Sequence, residues 1–251
     1  MNQTEYRLGL ASISFRHCTP REIAQAAKNA GLSCIEWGSD VHAPPHDKRN
    51  LCALVDLQTE FSLSCSSYGT YFRLGQTPIE ELQAYIDAAK LLQTDVLRLW
   101  CGTKSGEDYT SGETEALLEQ CRQAAAIAEQ NGVILCMECH KHTYTQRCED
   151  AINLIETINS PHFRMYWQPF QWQSVEQNLN YARRIAPFTH HLHVFQWKGE
   201  QRFSLADGMD EWRAYLSCFS LPRTLLLEFM PDNDLSSLPD EAKQLKQITG
   251  V

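Results

Sequence analysis

Eight times along this chain a short apolar run gives way to a stretch with helical spacing, and that regularity limits the fold more than any other feature. The strand-like runs are Leu8–Phe15, Cys34–Gly38, Leu63–Tyr68, Val96–Trp100, Val133–Cys139, Arg164–Gln168, His190–Gln196 and Thr224–Met230. Between them lie stretches with apolar residues three and four apart, clearest over Pro20–Ala30, Pro78–Leu92, Glu113–Gln130 and Glu149–Ile158. Thr19 before Pro20 and Thr77 before Pro78 read as N-caps followed by a proline in the first turn, while Gly31 and Gly132 stand where helices should end. No linker or low-complexity segment interrupts the pattern. Eight strand–helix units in 251 residues is the arithmetic of a closed (β/α)₈ barrel, the TIM barrel architecture, as one domain over residues 1–251. A doubly wound open sheet should carry a glycine-rich turn after its first strand. Here Leu8–Arg16 runs into His-Cys-Thr-Pro instead.

The composition is that of an ordinary globular protein, with 43% hydrophobic and 21% charged residues, which excludes disordered and coiled-coil classes. No apolar run approaches the roughly 18–20 residues of a membrane span, and MNQTEYRLGL has neither the basic start nor the apolar stretch of a secretory leader. The expected location is therefore cytoplasmic. Lys and Arg number 22 against 31 Asp and Glu, and the net charge of −9 argues against a nucleic-acid partner held by its phosphates. The ten cysteines are dispersed, in a chain large enough to fold without staples. Cys136 and Cys139 make a CxxC, but inside a strand they point to opposite faces, and no second pair completes a zinc site. Small buried thiols are the expected reading.

In such barrels, function sits at the C-terminal ends of the strands. The polar residues there are Ser14, Arg16, Glu36, Ser67, Arg98, Glu138, His140, Gln168, His191, His193 and Glu228. Glu138 closes Val-Ile-Leu-Cys-Met and Glu228 closes Leu-Leu-Leu, runs too apolar to face solvent. A carboxylate buried there must be paired or coordinated to stay charged. A rim salt bridge would satisfy that need for one of them. Two acids plus a histidine strand favour a metal or acid–base site. In His190-His191-Leu192-His193, His191 and His193 share one face and His190 opposes them. A lone histidine is usually a satisfied core residue, but this pair arrives one strand before Glu228, which favours a ligand role. Gln168 ends the sixth strand at the same level, as a fourth ligand or a donor to a substrate hydroxyl. Trp37, Tyr68, Trp100, Trp167, Phe195 and Trp197 crowd the same rim, either as packing or as walls for a sugar. Arg202, in Arg202-Phe-Ser-Leu-Ala-Asp-Gly208, is either a solvated loop charge or a clamp on substrate oxygens. His140 shares the face of Glu138, and His142 reads as a loop residue.

Taken in order, Gly9-Leu-Ala-Ser-Ile-Ser-Phe-Arg16, Ala30-Gly-Leu-Ser-Cys-Ile-Glu-Trp37, Ser67-Tyr-Gly69, Val96–Gly102, Met137-Glu-Cys-His140, His191-Leu-His193, Arg202–Gly208 and Leu227-Glu-Phe229 resemble the xylose isomerase-like TIM barrels, which include sugar isomerases and ketose 3-epimerases. The resemblance covers nearly the whole chain. It implies one divalent metal held by Glu138, Gln168, His193 and Glu228, with the two glutamates as the acid–base pair on either face of an enediolate. Mn²⁺ or Mg²⁺ is expected, with Zn²⁺ or Co²⁺ as alternatives. Arg202 matches the family's substrate-contacting arginine, and His140, Trp100, Tyr68 and Gln171 complete the expected substrate-binding set. Two positions depart from the pattern: Gln168 stands where the family has an Asp, and Gln171 where a histidine often follows it. Glutamine coordinates a hard cation through its carbonyl but brings no charge.

The leading expectation is a metal-dependent isomerase or epimerase acting on an open-chain sugar or sugar phosphate through a cis-enediolate. Dehydratases share that step. A non-catalytic sugar-binding barrel with a degraded metal site is the alternative that Gln168 and Gln171 favour. An apurinic endonuclease-like enzyme is disfavoured by the charge and by early strand ends without histidine. The expected partner is a small sugar rather than a nucleic acid or a membrane, and a homo-oligomer is compatible with the sequence.

Overall fold

The computed structural model describes residues 6–220 and 223–250. The first five residues, read above for a leader, lie outside the described ones. Eight parallel strands close a barrel: β1 (Arg7–Ala11), β2 (Cys34–Gly38), β3 (Ser64–Leu74), β4 (Val96–Cys101), β5 (Ile134–Glu138), β6 (Phe163–Trp167), β7 (Thr189–Val194) and β10 (Thr224–Leu227). Each strand pairs with its neighbours in chain order, and β10 closes the ring against β1. Two short strands, β8 (Gln196–Lys198) and β9 (Gln201–Phe203), form an antiparallel hairpin beyond β7. The outer ring is α1 (Pro20–Asn29), α2 (Lys48–Glu60), α3 (Leu82–Leu91), α4 (Ser111–Asn131), α5 (Cys148–Ile158), α6 (Val175–Ile185), α7 (Met209–Leu216) and α8 (Leu238–Thr249). Among the described residues, no helix is long and apolar enough to cross a membrane.

Local chemistry accounts for many of the boundaries. Thr19 accepts from the Glu22 amide and the Glu22 side chain returns to the Thr19 amide, a reciprocal cap that starts α1. Gly132 takes the left-handed conformation that ends α4, at φ 67°. Thr77 does not cap the next helix. Its hydroxyl accepts from the Arg73 amide, and Pro78 leads into a 3₁₀ turn, Ile79–Glu81, before α3 begins at Leu82. The first strand also ends earlier than its apolar run, because Ser12–Phe15 coils into a buried 3₁₀ turn. α2 is hard to see in the sequence because Gln58 occupies a core position of its stripe. The Gln58 side chain accepts from Trp37 Nε1 at 2.9 Å and donates to the Leu92 carbonyl.

The main core lies between barrel and helices, and a small cluster of Cys34, Val96, Cys136, Tyr166 and Leu226 fills the barrel interior. Gly9 has no room for a side chain there: a Cβ would fall 2.5 Å from the Cys34 carbonyl oxygen and 2.7 Å from Leu226 Cδ2. Cys136 belongs to the inner cluster and Cys139 to the outer core, as strand alternation requires. All ten cysteines are free.

Candidate active site

The alternation that fills the barrel also loads its mouth. Two residues beyond Cys34, Val96, Cys136, Tyr166 and Leu226 stand Glu36, Arg98, Glu138, Gln168 and Glu228, and His193 follows His191 in the same way. Parallel strands deliver these polar groups to one end. Glu36, Arg98, Glu138, His193 and Glu228 are all under 5% exposed, so this is a buried ionic network rather than a solvated rim.

Arg98 joins two of the acids. Its Nη1 donates to Glu138 Oε2 at 2.7 Å, and its Nε lies 3.4 Å from Glu36 Oε1. Trp100 Nε1 also donates to Glu138 Oε2. Ser67 Oγ and the Tyr166 hydroxyl donate to Glu36 Oε2 at 2.8 and 2.7 Å. His193 stands between the acids, with Nε2 3.2 Å from Glu36 Oε1 and Nδ1 3.3 Å from Glu138 Oε1 and 3.5 Å from Glu228 Oε2.

These surroundings split the carboxylates. Burial opposes ionisation of Glu36, but the charges of His193 and Arg98 outweigh it and hold the group at about 2. Burial likewise opposes Glu138, and there Arg98 and the His193 hydrogen bond hold the carboxyl far below its usual range. For Glu228, burial prevails, reinforced by the Glu138 charge, and pushes it up to about 7. Burial works against a charged His193, yet Glu228 and Glu36 lift it to about 10.

The donor set suits a divalent cation. One ligand atom from each of Glu138, His193 and Glu228 lies within 4.8 Å of the other two. Gln168, directly after β6, the strand between those of Glu138 and His193, donates Nε2 to the Cys139 carbonyl, while its buried Oε1 has no protein partner. A buried carbonyl oxygen left unpaired costs about 1–3 kcal/mol unless something fills the gap, and a hard cation would. The charge agrees as well. Three carboxylates against one guanidinium leave the cluster at −2 when His193 is neutral, which one divalent ion balances.

The model of the Xylose isomerase-like TIM barrel family matches residues 24–219. The chain belongs to that family. A curated 3-dehydroshikimate dehydratase from Bacillus anthracis is 21% identical over 197 residues, covering 74% of this chain and 70% of the dehydratase. A crystal structure of a probable 3-DHS dehydratase involved in petrobactin synthesis, also from Bacillus anthracis, superposes with a TM-score of 0.81 at 17% identity, over 96% of this chain and 99% of that one. A D-allulose 3-epimerase from Methylomonas sp., in complex with D-allulose, superposes at 0.72 and 13% identity, over 97% of both chains. Identities this low establish the shared fold.

Within this family member, the four expected metal ligands converge on one end of the barrel, and two expected substrate contacts join them. Trp100 bonds to Glu138, and the half-buried His140 ring packs against it at 5.1 Å. His140 Nδ1 lies 2.7 Å from the Lys141 carbonyl, which can only accept, so Nδ1 carries a proton. Arg202, on β9, stacks 4.9 Å over Phe229, the neighbour of Glu228, and 4.7 Å over Trp197, and bonds to Asn233. Gln171 stands apart. It lines a cavity of about 320 Å³ with Phe170, Trp172, Phe195 and Trp197, to which Glu36, Glu138, His193 and Glu228 contribute no wall.

Tyr68 does not reach the site. It is fully buried between barrel and helices, its hydroxyl donating to the Ala43 carbonyl at 2.6 Å. Trp37 and Trp167 face the same outer core, for the same reason: each is the odd neighbour of an inward-facing residue. Tyr71 takes the place expected of Tyr68, its ring 5.1 Å from Trp100 and its hydroxyl bonded to Arg16. Glu36, Ser67 and Arg98 were visible only as polar strand ends, and Tyr166 not at all. His142 is an exposed loop residue at φ 57°.

Proposed function

We propose that this chain is a metal-dependent isomerase or epimerase of a polyhydroxylated carbonyl compound, a sugar or sugar phosphate in its open form. The observation that carries the reading is the pair of buried glutamates, Glu138 and Glu228, facing one histidine nitrogen at 3.3 and 3.5 Å. Glu138, His193, Glu228 and the unpartnered Gln168 Oε1 would hold the cation, with Mn²⁺ or Mg²⁺ suiting the oxygen-rich set. Such an ion, when bound, acidifies the C–H beside a substrate carbonyl.

The chain's own groups divide the remaining work. Arg98 and Trp100 fix one oxygen of Glu138 and keep the carboxylate ionised, as a proton acceptor needs. Glu228, the other buried carboxylate facing His193 Nδ1, would serve as the second proton-transfer group. One glutamate would take the C–H proton to give an enediolate, and a protonated glutamate would deliver a proton back to carbon. Delivery by the second glutamate to the same carbon from the opposite face gives the epimer. Delivery to the neighbouring carbon, with the hydroxyl proton passing to the former carbonyl oxygen, gives the isomer. Arg202, Trp100 and His140 would orient the substrate at the mouth.

Dehydration is the second reading, favoured by the match to the Bacillus anthracis dehydratase. The same proton abstraction, followed by loss of a β-hydroxyl, would give a conjugated product. Incubation with ketoses, aldoses and cyclic hydroxyketones in D₂O with Mn²⁺, followed by NMR, tests both. Deuterium entering beside the carbonyl, abolished by chelation, is the expected result, and growth of ultraviolet absorbance marks dehydration. Ligand binding without exchange anywhere in the panel would overturn the enzymatic reading and favour a sugar-binding barrel.

A further inference from the structure

Glu36 holds a charge at the heart of the cluster, yet the proton transfer proposed above gives it no part. Each of its oxygens is committed. Oε2 accepts from Ser67 Oγ and from the Tyr166 hydroxyl, and Oε1 faces Arg98 Nε and His193 Nε2. A carboxylate offers about four acceptor sites, and all four are taken, so Glu36 has none left for a cation or a substrate. Its contact with His193 fixes something else. When His193 is neutral, as a metal-ligating histidine is, donation from Nε2 leaves Nδ1 unprotonated, and Nδ1 is the nitrogen that faces Glu138 and Glu228. The Tyr166 ring, 4.6 Å from His193, leaves the imidazole little freedom to turn over.

We propose that Glu36 is a positioning residue: by accepting the Nε2 proton of His193 it selects the tautomer whose Nδ1 lone pair points into the space between Glu138 and Glu228. Arg98, Ser67 and Tyr166 hold Glu36 in place for this task, which explains why a third buried acid stands opposite the other two. Removing such an outer partner of a ligating histidine lowers metal affinity by about 10–100-fold. The inference rests on the metal-site reading above.

The test uses the full chain labelled with ¹⁵N-histidine and loaded with Zn²⁺, a diamagnetic ion. Long-range ¹H–¹⁵N correlation, with His193 identified by its loss in His193→Gln, should place the ring proton on Nε2 and show it exchanging slowly with solvent. A proton on Nδ1 overturns the proposal while leaving the metal site intact. Failure of the wild-type chain to take up Zn²⁺ overturns both readings together. Glu36→Gln should weaken Zn²⁺ binding by roughly tenfold or more. Ser67→Ala, which spares the His193 contact, should change it less than threefold. A Glu36→Gln protein that is less stable but binds Zn²⁺ as the wild type does would show a purely structural role. Should that variant fail to fold, the wild-type tautomer decides.

Discussion

Glu36 and Glu228 sit in one buried network that shifts their pKa values in opposite directions, which shapes the pH response of the protein without metal. Glu228, raised to about 7, and His193, raised to about 10, stabilise the fold while protonated. That stability is complete below their unfolded values and is lost as pH rises through the folded ones. Glu36, lowered to about 2, works the other way: its contribution is present above the ordinary glutamate range and disappears as pH falls toward 2. The EDTA-treated protein should therefore lose melting temperature from about pH 5 to pH 9, and saturating Mn²⁺ should cancel the loss. A flat profile in EDTA would contradict this. Gln168→Glu makes a second test, since it adds one negative charge to the buried cluster. It should lower the melting temperature in EDTA and enlarge the rise on adding Mn²⁺, both read by differential scanning fluorimetry. Of these residues, Glu138, His193 and Glu228 were legible because each interrupts an apolar strand. The role of Glu36 was not, since His193 lies 157 residues away in sequence and Tyr166 lies 130 away. Nor could Tyr166 stand out, because a tyrosine in a strand looks like core until its hydroxyl finds a partner.

Among elements, the turn after β10 has most to do with the site. Phe229, directly after Glu228, adopts φ 54°, a conformation that costs a bulky residue about 1–3 kcal/mol unless its surroundings hold it. Ser14 Oγ accepts from the Phe229 amide at 2.9 Å, and Trp197 and Arg202 pack on the ring. Ser14→Ala should destabilise the protein by about 1 kcal/mol in urea titrations and reduce turnover by loosening Glu228. The cap of α1 is the control: Thr19→Ala should cost about 1 kcal/mol without touching turnover. Element types were readable from period and caps, but two local details were not. Register shifts where Glu36 of β2 meets Ser67 of β3, and Tyr68 then turns outward against Ala43 and Tyr85. Such a slip reverses every later side chain on the strand and leaves no mark in hydrophobic pattern. The Thr77–Pro78 cap misled in another way: the hydroxyl serves the Arg73 amide, so the dipeptide closes a turn instead of opening α3.

At the scale of the molecule, the barrel is a device for bringing strand ends together, and its interior tolerates no slack. Gly9→Ala would push a methyl against the Cys34 backbone oxygen, a group that cannot swing aside. We expect a loss of about 1–3 kcal/mol or more, with metal affinity falling because the Cys34 and Leu226 layer directly supports Glu36 and Glu228. Unchanged urea and Mn²⁺ midpoints would show that the lower layer does not support the upper one. Eightfold alternation made the architecture legible, together with the missing glycine-rich turn after the first strand, which set a doubly wound open sheet aside. The charge balance was not legible, because it depends on which of the polar strand ends face each other. Glu138 and Glu228 alone bring two negative charges beside the uncharged Gln168, and Glu36 and Arg98 cancel each other. With a neutral His193 the cluster therefore stays at −2, the charge that one divalent ion would balance.

That balance is most directly tested by diffraction from crystals soaked in Mn²⁺ at its absorption edge. The account predicts one strong anomalous peak at the barrel mouth, coordinated by Glu138, His193 Nδ1, Glu228 and Gln168 Oε1, with Glu36 outside the coordination shell. An empty mouth at saturating Mn²⁺, or an ion held by Glu36, would contradict it.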